Sequence, residues 1–174
     1  EARTRGENIS IAARAAGTDM TGGPLTDSIA LVFTKYMNQV LGVESDEASA
    51  EAGTYYRDFE KATLAKTGKL LPPYPASREQ AAIGGMIANN SGGELTLRFG
   101  KMDRFVRELN VVLSDGSRAA LRPLSLQELA GKEARQDLEL GALPVFRDLV
   151  ACGLGALLWL APGPAGAQLS AEGQ

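Results

Sequence analysis

Apolar residues recur at every second position in two stretches near the start of the chain. Ile9, Ile11 and Ala13 form the first, and Ile29, Leu31 and Phe33 the second. A period of two predicts strands over about 9–14 and 28–33. Two further short strands are expected around "VLGVES" and "EASAEAG". The period then lengthens: Tyr55, Phe59 and Ala62 stand at i, i+4 and i+7, with Thr54 as the predicted helix cap and Gly68 as the stop. On that helix the aromatic residues read as core and Asp58, Glu60 and Lys61 as a solvated face. Beyond it, "LLPP" is a proline-stiffened approach to a run of small apolar residues ending in "NNSGG". Alternation returns in "FVRELNVVLSDGSRAALRPL", where Asp115-Gly116 predicts a two-residue hairpin turn and Val106, Leu109, Val111, Leu113 and Leu121 the buried side. Ser125 and Glu128 have the spacing of a capping box opening a helix to about Gln136.

From Gly141 the pattern changes in kind, losing its charges for alanine, leucine, glycine and proline. The apolar part, about Leu149 to Ala161, is shorter than the ~20 residues that a membrane-spanning helix needs. It reads as a helix wanting a partner or as a truncated or frame-shifted end, with nothing able to fold after Leu160. The expected organisation is therefore 1–137 as the folded part, in lobes of about 1–68 and 69–137, followed by an atypical tail, truncated or disordered, over 138–174.

Composition narrows the chemistry. The chain has 174 residues, 44% apolar and 22% charged, enough for one buried core. Net charge is −3 with no basic run, which argues against a nucleic-acid partner. There is no histidine, so the commonest metal ligand and the usual neutral-pH base are both missing, and no metal site is expected. Cys152 is the single cysteine and has no partner for an internal disulfide. The start at Glu1 has no initiator methionine or signal-peptide pattern and reads as that of a fragment.

The glycine loop "GTDMTGG" remains the most specific candidate for chemistry. Gly17, Gly22 and Gly23 permit conformations closed to other residues and let backbone N–H groups converge on an anion, while Thr18 and Thr21 add hydroxyls. The same residues also suit a plain connection between strands. Neither a GxxxxGK[ST] loop nor a GxGxxG fingerprint is present. A second narrow segment, with Gly84, Gly85, Gly92 and Gly93, follows the rigid "PYPAS" that carries Ser77. Two such surfaces can close on the ends of a long phosphorylated ligand, and a dinucleotide has that shape.

Taken in order, "AARAAGTDMTGG", "PPYPAS" and "AAIGGMIANNSGGELTLRFGKMDRFVRELNVVLSDGS" resemble the successive motifs of the FAD-linked oxidases of the vanillyl-alcohol oxidase and p-cresol methylhydroxylase superfamily. The branch they resemble holds the FAD-dependent D-lactate, glycolate and D-2-hydroxyglutarate dehydrogenases. The resemblance covers roughly residues 9–122. It implies an α+β, two-lobed flavin-binding domain, incomplete here at both ends. By position, Arg14 matches the family's arginine, and Ala16, Gly17, Thr18, Asp19, Met20, Thr21, Gly22 and Gly23 its pyrophosphate loop. Pro75, Ala76 and Ser77 match the segment approaching the cofactor. Gly84 and Gly85 match the paired glycines, and Asn89, Asn90, Ser91, Gly92 and Gly93 the stretch lining the flavin and its ribityl chain. Asp19 departs from the small or neutral residue usual there, and is repulsive to a pyrophosphate unless it points outward.

With FAD as cofactor the missing histidine matters less, because the isoalloxazine ring carries the redox step. Histidyl attachment is impossible in this chain, and Cys152 lies outside the matched region, so the FAD is expected to be noncovalent. The resemblance implies a parent that oxidises a small 2-hydroxy acid and passes electrons to a quinone, a cytochrome or oxygen. That parent is expected to be cytoplasmic, with peripheral inner-membrane association open to it and no membrane span. Family members carry their substrate-binding residues mainly in segments outside this stretch, so no catalytic residue is assigned and the fragment alone is expected to be inactive and marginally soluble. The alternatives are a noncatalytic or degenerate FAD-binding remnant and an NADPH-oxidising enolpyruvyl-reductase-like flavoprotein.

Overall fold

The computed structural model describes residues 5–6, 9–113, 116–125, 128, 153–159 and 161–162. Strands β1 (Ile11–Arg14) and β2 (Ile29–Val32) pair in parallel, with Ile11 opposite Ile29 and Arg14 opposite Val32. A parallel pair cannot be joined by a tight turn. The glycine loop and the "PLTDS" segment therefore make a crossover between them, and a short 3-10 turn (Phe33–Lys35) follows β2.

Strands β3 (Val40–Val43) and β4 (Glu47–Ala50) stand where two short strands are expected and pair as an antiparallel hairpin. Helix α1 (Tyr56–Thr67) follows and ends at Gly68, whose φ of 68° and N–H bond to the Leu64 carbonyl make the expected left-handed stop. Two details differ from expectation. Tyr55 is the helix cap and no side chain caps α1, while the buried Thr54 hydroxyl donates instead to the Gln39 carbonyl at 2.9 Å. The inward face is Tyr56, Phe59, Glu60 and Thr63, so Glu60 belongs to the interior and not to a solvated face.

The chain then forms β5 (Lys69–Leu70), the proline segment, α2 (Ile83–Ala88) and α3 (Thr96–Phe99), followed by a 3-10 turn at Met102–Arg104. Strands β6 (Val106–Val112) and β7 (Arg118–Leu121) make the second hairpin. Leu109, Val111 and Leu121 are buried as expected, and Val106 and Leu113 partly so. A register shift between Val106 and Glu108 puts Val106 and Leu109 on the same side despite their odd separation. The turn is one residue longer than predicted. The Leu113 N–H bonds the Ser117 carbonyl, and Gly116, with φ +87°, bonds back to the Leu113 carbonyl. Ser114 and Asp115 lie outside the described residues.

The largest departure is in the apolar tail. Gly153–Trp159 is a strand, β8, at the centre of a five-stranded sheet ordered β3-β4-β8-β6-β7 and antiparallel to both neighbours. Ala161–Pro162, beyond Leu160, forms β9 against β5. Two facing strands with unfilled backbone donors and acceptors can recruit a weakly patterned segment into a ladder, which no local periodicity reveals. The capping box is also present, with Ser125 and Glu128 exchanging hydrogen bonds, while the helix expected beyond it lies outside the described residues.

One core unites these elements. Tyr56 and Phe59 of α1, Leu71, Ile83 and Met86, Met102, and Val111 and Leu121 of the second hairpin are all essentially inaccessible. Each such side chain contributes about 1.5–3 kcal/mol on burial.

Candidate cofactor-binding site

The end of β1 and the glycine loop form one wall of a cleft of about 270 Å³, through Ala13, Ala15, Ala16, Gly17, Thr18, Asp19, Gly23 and Pro24. Within the loop the backbone N–H groups fall into two sets. Those of Gly17, Thr18, Asp19, Met20 and Gly22 have no acceptor among the described residues. Those of Thr21 and Gly23 donate to the Asp19 carboxylate at 3.1 and 2.8 Å, and the Thr21 hydroxyl donates to it at 2.7 Å. Asp19 is thus turned onto its own loop. The hydroxyl bond from Thr21, with the two amide bonds, holds its carboxyl below the ordinary aspartate value. Arg14 lies beneath the loop, its guanidinium 2.7 Å from where a Cβ on Gly17 would stand, with no carboxylate partner among the described residues.

The facing wall comes from the proline segment and α2: Pro75, Ser77, Ala81, Ala82, Gly85, Met86, Ala88, Asn89 and Ser91. Backbone pairing fixes its place. The Tyr56 and Ile83 N–H groups bond the Ala81 and Thr54 carbonyls, and Gly84 N–H bonds the Ala52 carbonyl at 2.7 Å. The side chains of Ser77, Asn89 and Ser91 have no hydrogen-bond partner among the described residues, leaving polar atoms for a guest.

The proline segment is clamped from behind. Arg78, next to Ser77, bonds the buried Glu60 at 2.6 Å and lies over the Tyr74 ring. Glu60 also accepts from the Tyr56 hydroxyl at 3.2 Å, and Tyr56 bonds the Leu71 carbonyl at 2.8 Å. Tyr74 donates to Glu94 at 2.6 Å, and burial together with that carboxylate pushes its phenol up to about 12. On the other side, a Cβ on Gly93 would stand 2.2 Å from the Tyr74 carbonyl oxygen.

Of the residues predicted from the sequence, the cleft gathers Ala16, Gly17, Thr18, Asp19, Gly23, Pro75, Ser77, Gly85, Asn89 and Ser91. The rest stand elsewhere. Met20 is fully exposed, and Thr21, Gly22 and Ala76 do not line the cleft. Gly84 faces Ala52, Gly92 faces Thr96, and Gly93 faces Tyr74. Asn90 has φ 44° and its side chain accepts from the Asp103 N–H. Sequence reasoning missed Ala13, Ala15, Pro24, Ala81, Ala82, Met86 and Ala88. Helical spacing linked Ala82, Gly85, Met86 and Asn89, but the two glycines disguised α2 as a loop.

Residues 2–121 match the family described as FAD binding domain. The chain belongs to that family. Its cofactor is therefore FAD, and the residues present suit it: a diphosphate needs donors without side-chain bulk, and the unpartnered amides of Gly17, Thr18 and Asp19 on a wall of mostly small residues supply them. The chain is 36% identical over 112 residues to glycolate oxidase subunit GlcD of Bacillus subtilis, covering 62% of this chain and 23% of that protein. It is 33% identical to D-lactate dehydrogenase of Archaeoglobus fulgidus, covering 63% and 25%. It is 30% identical to D-2-hydroxyglutarate dehydrogenase of Pseudomonas putida, covering 75% and 13%. The chain thus spans a quarter or less of the length of these relatives. Among solved structures, 6-hydroxy-D-nicotine oxidase from Arthrobacter nicotinovorans superposes with a TM-score of 0.68 at 16% identity, covering 94% of this chain and 33% of that one. Alkyldihydroxyacetonephosphate synthase gives 0.66 at 21%, covering 94% and 29%. The α+β flavin-binding fold expected from the sequence is the fold observed. No helix among the described residues is long and apolar enough to cross a membrane, and no group of metal-ligating side chains occurs among them.

Proposed function

We propose that this FAD-binding domain serves a parent oxidoreductase that oxidises a small 2-hydroxy acid of the D-lactate, glycolate or D-2-hydroxyglutarate kind. The observation that carries the reading is the run of unpartnered amides from Gly17 to Met20 beside a cleft walled by small residues. The names of the relatives supply the substrate class. Gly17, Thr18 and Asp19 would hold the diphosphate through backbone N–H groups, and Ser77, Asn89 and Ser91 would offer hydrogen bonds to the rest of the cofactor. FAD supplies the acceptor for the hydride that leaves the substrate carbon bearing the hydroxyl. The chain's own part is to bind and orient. Substrate turnover is assigned to the parent and not to this stretch alone. Attachment is noncovalent in this reading, since the chain has no histidine. The cytoplasmic location expected of the parent belongs to the same proposal.

The test is the visible spectrum of the purified chain, before and after denaturation, with FAD added if it is colourless. Flavin bands that are released on denaturation are the expected result. A folded chain that takes up no FAD overturns the reading. Bleaching of the flavin in the full-length protein by one of the three acids identifies the substrate. A bound flavin that none of them reduces favours a noncatalytic remnant.

A further inference from the structure

The Asp19 carboxylate divides the donors of the glycine loop. It engages the Thr21 amide and hydroxyl and the Gly23 amide, while the amides of Gly17 to Met20 keep no protein acceptor among the described residues. We propose that Asp19 is a positioning residue, tying the second half of the loop to its own side chain so that the first half presents its amides to a diphosphate. The inference rests on the FAD reading of the cleft and adds to it a role for the one residue that departs from the family pattern.

Two features of the loop agree. A Cβ on Gly23 would stand 2.8 Å from Asp19 Oδ2, so glycine at 23 is what admits the carboxylate. Directly before it, Gly22 takes φ +82° and its carbonyl accepts the Leu25 N–H at 2.9 Å. Links from 19 to 21, from 19 to 23 and from 22 to 25 fix the return of the chain towards β2. A loop held in its binding shape before the ligand arrives loses less freedom on binding. The rival role for Asp19 is that of a competitor, a built-in anion that repels the diphosphate and occupies its donors. The carboxylate stands in solvent, where charge is screened, and of the two amides it occupies only that of Gly23 borders the cleft, while those of Gly17, Thr18 and Asp19 there stay open to a ligand. Positioning therefore outweighs repulsion.

The two roles predict opposite signs. The full chain, Asp19→Asn and Asp19→Ala are titrated with FAD, ADP and riboflavin, and each is melted without ligand. Asp19→Ala is expected to weaken FAD and ADP about five- to tenfold, because the untied loop then has to be ordered on binding. Asp19→Asn, which keeps one acceptor and the shape, falls between. Riboflavin, having no phosphate, binds all three proteins equally, and the melting temperatures agree because the loop is exposed. Equal or tighter binding of FAD and ADP by Asp19→Ala overturns the inference, as does an equal loss for riboflavin. If the wild-type chain takes up no FAD, the reading beneath fails first and carries the inference with it.

Discussion

Gly85 and Gly93 look alike in the sequence and differ in what surrounds them. A Cβ on Gly85 would meet only the Ala15 side chain, at 3.5 Å, whereas one on Gly93 would collide with the Tyr74 backbone oxygen at 2.2 Å. Gly93→Ala is therefore expected to destabilise the chain by about 1–3 kcal/mol, as overpacking does. Gly85→Ala should leave the melting temperature unchanged or raise it, since alanine favours helix by about 0.5–1 kcal/mol, while weakening FAD because it adds bulk to the cleft. Melting curves and FAD titrations of the two variants separate the roles, and equal stability loss in both would contradict them. Sequence alone marked both glycines as cofactor-lining. It conveys that a position needs a missing side chain, but whether a ligand or another stretch of backbone fills the space depends on a neighbour some twenty residues away.

At the scale of elements, Glu60 shows how charge is placed inside a helix interface. It sits on the buried face of α1, where it receives Arg78 and the Tyr56 hydroxyl and so fastens the proline segment to the helix. Glu60→Ala leaves Arg78 without its carboxylate, while the Tyr56 hydroxyl keeps the Leu71 carbonyl. A loss of about 1–2 kcal/mol is expected, limited by the partial exposure of Arg78. Glu60→Gln, which keeps an acceptor, should lose less, and thermal melts read the difference. An unchanged melt for Glu60→Ala would remove the clamp from the account of the site. Elements whose partners are local were legible: the second hairpin, the two short strands of the first, and α1 with its glycine stop. The inward turn of Glu60 was not, because a carboxylate at helical spacing reads as solvated until its distant arginine is known. Nor was α2, whose two glycines suit close packing on Ala52 better than helix propensity.

For the whole molecule, the decisive element is β8. Its residues, Gly153–Trp159, sit in a stretch that composition marks as an appendage, yet they separate β4 from β6. A chain ending at residue 137, the boundary that composition suggests, would leave the inner edges of both strands bare. Exposed edges invite pairing between molecules. The shortened chain is expected to self-associate and to lose its cooperative melt, while the full chain keeps it. Size-exclusion chromatography and calorimetry would show this, and an equally sharp monomeric melt of the shortened chain would contradict the central position of β8. The cleft was legible from ordered motifs because its walls are contiguous segments. The sheet was not, because its middle strand is supplied by residues far along the chain.

That order of strands also sets a timetable for synthesis. A ribosome adding 5–20 residues per second delivers the last residue of β8 roughly 5–20 s after the last of β4. By the end of that interval α1 and both hairpins have been synthesised, and until β8 joins them the slot between β4 and β6 stays open. The nascent chain must keep that slot from closing on itself or on a neighbour, so slowed translation or a chaperone acting late in the message should govern the yield of folded protein more than the same intervention acting early.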